Sequence, residues 1–118
     1  MEVTERLQGE VLVLAMSGPV SFYSRKIFQA LMNNVQNTQS THIVMNLTRV
    51  TFIDSVALGL LVLAYTNMAL RNVGMSLVEP PAAVMKILET ANVPQLIPTY
   101  SSEEQAILHC SAPSHCSP

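Results

Sequence analysis

The sequence predicts an α/β fold with a mixed, mostly parallel sheet of about four to five strands covered by about four helices. Two short apolar runs carry that expectation, Val11-Leu12-Val13-Leu14-Ala15-Met16 and His42-Ile43-Val44-Met45-Asn46-Leu47. The first is continuously apolar rather than alternating, the pattern of a strand covered on both faces, and the second is a short apolar run bounded by polar residues. Segments of helical spacing fall between such runs, and strand–helix alternation favours parallel pairing with helices as cover. At 118 residues the chain has the size of one domain with one core.

The elements follow in order. Val3 to Arg6 is a short strand, and Leu7-Gln8-Gly9-Glu10 a turn into the stronger run at Val11, which Ser17-Gly18-Pro19 is expected to stop. Ser21 to Ser24 offers caps for a helix whose apolar positions are Ile27, Ala30, Leu31, Met32 and Val35. The run at His42 is the second buried strand, and Thr48 to Ile53 reads as a connector. Asp54-Ser55 then opens a helix reaching about Asn72, since either side chain can accept a hydrogen bond from the free amides of the first turn. Asn72-Val73-Gly74 ends it, with Gly74 expected in the left-handed conformation. Met75 to Val78 is a third strand, and Glu79-Pro80-Pro81 starts a helix from Ala82 to Ala91. Val93 to Ile97 leads to an edge strand near Pro98 to Tyr100, and Ser101-Ser102-Glu103-Glu104 caps a last helix through about His109. Residues 1–109 form the expected domain, and 110–118 are expected to be a disordered tail.

Composition narrows the function classes. Apolar residues make up 49% of the chain and charged residues 12%, against about 25% in an average soluble protein. Apolar surface is therefore expected to remain available to a partner. With a formal net charge of −2 and no basic stripe or aromatic platform, nucleic-acid binding is not expected. The acidic, polar start differs from a signal peptide, and the apolar run Val56 to Tyr65 is about half the ~20 residues of a spanning helix. The expectation is a cytoplasmic protein with no membrane span. Both cysteines, Cys110 and Cys116, lie near the end, so no disulfide framework is expected.

Among candidate sites, the Asp54-Ser55 junction comes first. A serine hydroxyl at a helix start lies beside free amides that accommodate a phosphate, while the commoner role of Asp54 and Ser55 at such a place is to cap the helix. The helix from Val56 to Arg71 is apolar nearly all round, so it is either enclosed by its own domain or open on one face to a partner or a second copy. The repeated His109-Cys110-Ser111 and His115-Cys116-Ser117 lacks zinc-ligand spacing, and no metal is expected. No nucleophile elbow, P-loop or His-Glu-x-x-His occurs, so no catalytic residue and no cofactor are expected. His42, at a strand start, is expected to face solvent or a neighbouring loop.

Asn46-Leu47-Thr48-Arg49-Val50-Thr51-Phe52-Ile53-Asp54-Ser55-Val56-Ala57-Leu58-Gly59 closely resembles the signature of STAS domains, specifically of bacterial anti-sigma factor antagonists. The resemblance extends over most of the chain, through Gly18, Glu79-Pro80 to Leu88, and Ser101 to Ala106. It implies a non-enzymatic module that binds an anti-sigma factor or serine kinase-type protein and so regulates transcription by partner switching. It places the contact face at Asp54, Ser55, Val56, Ala57, Leu58, Gly59 and Val62. In the family the kinase phosphorylates the second serine of Asp-Ser-Ser, and the added charge breaks the complex. That position is Val56 here, without a hydroxyl, while Ala57 replaces a glycine and Ser21 an acidic residue. Contact without the usual phosphoserine switch is therefore implied, with Ser55 the remaining hydroxyl for phosphorylation. The alternative is a scaffolding subunit that dimerises or joins a lipid-transport-type assembly.

Overall fold

A computed structural model describes residues 2–21, 25–36 and 40–111. The chain runs β1 (Glu2–Gln8), β2 (Val11–Val20), α1 (Arg25–Gln36), β3 (His42–Ile53), α2 (Ser55–Leu70), β4 (Gly74–Val78), α3 (Ala82–Thr90), α4 (Val93–Leu96), β5 (Thr99–Tyr100) and α5 (Glu103–Ser111). The five strands form one sheet in the order β1-β2-β3-β4-β5. β1 and β2 are an antiparallel hairpin, and the remaining neighbours are parallel. Gln8 pairs with Val11 across a two-residue loop in which Gly9 has φ +63° and supplies the left-handed backbone.

The central strands are covered on both faces, as their continuous apolarity predicts. Leu12, Leu14, Met16, Ile43, Met45, Leu47, Met75 and Leu77 meet α2, α3 and α4 in the main core. The alternate residues Val11, Val13, Val44 and Val78 pack on the other face with Ala106 of α5. The alternation of side chains across a strand divides the two sets.

Four local expectations are corrected. Gly18-Pro19 does not stop β2, which continues to Val20 with register shifts on either side of Gly18. β1 ends its pairing at Ser17, so Pro19 lies where its missing amide costs no bond to that neighbour. The connector at Thr48 to Ile53 is strand, because β3 runs on past β4 and pairs with Ser17–Val20. The left-handed residue after α2 is Asn72, with φ +61°, and not Gly74. The amides of Asn72 and Val73 donate to the carbonyls of Ala69 and Met68, closing a Schellman-type end. Val93–Leu96 forms a short helix ahead of β5.

Gly74 has another reason to be glycine. A Cβ there would lie 2.3 Å from Nδ1 of His42, its parallel partner in the sheet. His42 accordingly does not face solvent or a loop. Its ring lies over Gly74, and its Nε2 is 3.0 Å from the hydroxyl of the fully buried Ser76. Burial pushes the pKa of His42 from the usual 6.5 down to about 4.

The capping segment at Ser21 to Ser24 lies outside the described residues except for Ser21, and the side chains of Leu31, Met32 and Val35 are also outside them. Ile27 and Ala30 of that predicted stripe are exposed. α5 extends two residues past His109 to Ser111, and the tail from 112 onward, with His115 and Cys116, is outside the described residues.

Candidate functional site

The start of α2 is fixed from both sides. The amide of Asp54 donates to the carbonyl of Val20 at 3.2 Å, tying the end of β2 to the end of β3. Asp54 has extended backbone, and its Oδ1 accepts from the amide of Ala57 at 2.8 Å. Asp54 is thus the residue that caps the helix, which settles the choice between it and Ser55. Ser55 occupies the first helical position with its side chain exposed.

Helical rotation distributes the following residues. Ala57, Leu61, Ala64 and Met68 recur at three- and four-residue spacing and are buried against the sheet. Val56 is 42% exposed and Gly59 is exposed, whereas Asp54, Leu58 and Val62 are half-buried. Of the seven residues expected on a contact face, Ala57 therefore belongs to the core, at 1% exposure. The other six surround the first two turns of the helix. Gly59 has no positive φ, and an added Cβ would meet nothing within 4 Å.

Beside this turn lies an open, mainly apolar groove of about 710 Å³, in which Phe52, Ser55 and Leu58 face Ala83, Lys86 and Ile87 of α3. Phe52 is 48% exposed, an uncommon state for a phenylalanine and one that leaves ring surface for another molecule. The α3 half of the groove was not among the expected site residues. Nothing in the local pattern of 82–91 says which helix will flank it, since that depends on β4 having paired beside β3.

Among the described residues no group of three or more His, Cys, Asp or Glu is placed to hold a metal ion. No described helix is long and apolar enough to cross a membrane.

A hairpin followed by parallel strands, with a helix that starts on an Asp-Ser junction at the end of the third strand, is a STAS-like architecture. The chain belongs to the STAS domain family, whose model matches residues 2–106. No curated protein sequence matches it. Among solved structures it is similar to an anti-sigma factor antagonist from Mycobacterium paratuberculosis, at 19% identity and TM-score 0.82 over 91% of each chain. It is similar to the Bacillus anti-sigma factor antagonist SpoIIAA in its unphosphorylated form, at 19% identity and TM-score 0.77 over 93% of this chain and 96% of that one. It also resembles part of the murine solute carrier 26 family member A9 anion transporter, at 16% identity and TM-score 0.78, covering 91% of this chain and 18% of that one. These likenesses are of fold.

Proposed function

We propose that the chain is a non-enzymatic, cytoplasmic binding module of the anti-sigma factor antagonist kind, which engages an anti-sigma factor or serine kinase-type protein in a partner switch on transcription. The observation that carries this reading is the start of α2: Ser55, Val56 and Gly59 are open to solvent beside the apolar groove lined by Phe52 and Leu58. A partner that covers this patch removes exposed apolar area from water and needs no rearrangement of the core.

The reading includes an altered switch. Val56 stands where the family signature has its phosphorylated serine and offers no hydroxyl. Ser55 retains one, and because Asp54 already serves the first-turn amides, that hydroxyl is not needed as the cap. Val56→Asp introduces a charge at the centre of the contact, where its desolvation opposes binding. Binding to the cognate anti-sigma factor, measured by calorimetry, is expected to weaken at least tenfold while the circular dichroism spectrum is unchanged. Equal affinity of Val56→Asp and the native chain would overturn the placement of the contact face. Intact-mass measurement after incubation with kinase and ATP is expected to show no added phosphate. A single phosphate lost in Ser55→Ala would move the switch to Ser55.

A further inference from the structure

α2 carries a second pattern that its own fold does not use. Val56, Gly59, Leu63, Thr66 and Leu70 are spaced by three, four, three and four residues, the spacing of a heptad seam. All five are exposed, Leu63 at 56% and Leu70 at 80%. The seam runs the length of the helix on the side away from Ala57, Leu61, Ala64 and Met68.

Two features point to what covers it. Large and small residues alternate, with Val56, Leu63 and Leu70 at one heptad position and Gly59 and Thr66 at the other. Gly59 lies in a helix interior, where glycine costs roughly 0.5–1 kcal/mol relative to alanine. It has no positive φ and no crowding to justify it within the domain. A bare site of that kind admits the side chain of a closely packed helix. Charge is the second feature: the 16 residues of α2, Ser55–Leu70, contain no Asp, Glu, Lys or Arg. Two such faces therefore meet without like-charge repulsion, and a charged partner finds nothing on this helix to pair with.

We infer that the outer face of α2 pairs with the same face of a second copy of this chain, antiparallel and around a two-fold axis. In an antiparallel pair the two seam positions face each other, so each large residue meets a small one. With Leu63 opposite Gly59 of the second copy, Val56 falls opposite Thr66. The arrangement is self-complementary from Val56 to Thr66. The strip is about 24 Å long and 10 Å wide, well under the ~800 Å² per partner of a standard stable interface. The dimer is therefore weak, with half-pairing between about 10 µM and about 1 mM.

The seam shares Val56 and Gly59 with the proposed partner face, so the two contacts exclude one another. Leu63 and Leu70 line no part of the groove beside α3, and Leu63→Glu therefore tests self-pairing separately from partner binding. Sedimentation velocity of the full chain from about 10 µM to about 1 mM tests it. The mass is expected to rise from one chain to two, and Leu63→Glu is expected to weaken pairing at least tenfold. Gly59→Leu is expected to raise the melting temperature of the monomer, by restoring helix propensity, and still to abolish pairing by filling the hole. A single-chain mass throughout this range overturns the inference. So does a dimer that either substitution leaves unchanged, provided circular dichroism shows the variant folded.

Discussion

Ser76 is the buried polar side chain recorded among the described residues, and its hydroxyl meets His42 Nε2 at 3.0 Å. The burial of His42 sets a pH dependence. The folded state holds His42 neutral down to about pH 4, whereas the unfolded chain takes up a proton below about 6.5. Between those values the unfolded state binds more protons, so stability falls as pH falls. The contribution is complete above pH 6.5 and is lost progressively toward pH 4, by at most about 1.4 kcal/mol per pH unit. Urea midpoints at pH 7 and pH 5 are expected to differ accordingly, and His42→Gln to flatten the difference. The sequence showed a histidine at a strand start and nothing more. What makes it special is Gly74, which is 32 positions away in the chain and beside it only because β3 and β4 pair in parallel. Gly74 was read as a turn residue for the same reason: sequence shows that a glycine is needed, not whether φ or a missing Cβ is the need.

α2 was the most legible element. Its start, its length and its excess of apolar residues all follow from the sequence, because a capped 16-residue segment leaves few alternatives. Asp54→Ala removes the side-chain acceptor for the Ala57 amide and is expected to cost about 1 kcal/mol, read as a lower chemical-denaturation midpoint. Ser55→Ala is expected to leave that midpoint near its native value, which separates the capping residue from the residue available for contact. β3 was legible only to Leu47. Beyond it, burial recurs every third residue, at Leu47, Val50 and Ile53, with two exposed residues between each pair. That period belongs neither to a regular strand nor to a helix. It arises where the pairing with β2 shifts register between Ala15 and Ser17 and again between Gly18 and Pro19. The segment that looked like a loop is what aims Asp54 at its place.

The whole molecule is joined across its second face by one carboxylate. Glu103, in the first turn of α5, accepts from Asn46 of β3 at 2.5 Å and from Arg6 of β1 at 2.6 Å. Those hydrogen bonds, the one from Asn46 foremost, hold its pKa below the ordinary glutamate value. Arg6 is 55% exposed, so its ion pair adds little, and most of the effect rests on the half-buried Asn46 amide. Glu103→Ala is expected to destabilise the fold by about 1–2 kcal/mol. Hydrogen exchange should quicken in α5 and stay unchanged in α2, since the two helices lie on opposite faces of the sheet. The layered architecture was predictable from strand–helix alternation. The groove beside α2 was not, because it exists only once two helices distant in sequence become neighbours.

One property of the sheet bears on how the chain is made. Its spatial order repeats its order in the sequence, β1 to β5. As the chain is synthesised from its N-terminus, every strand after the first finds its neighbour already present, and each waits only for the next strand in sequence. One edge stays at β1, and the growing edge advances with synthesis and ends on the two-residue strand Thr99–Tyr100. A strand that short offers other nascent chains little backbone to pair with.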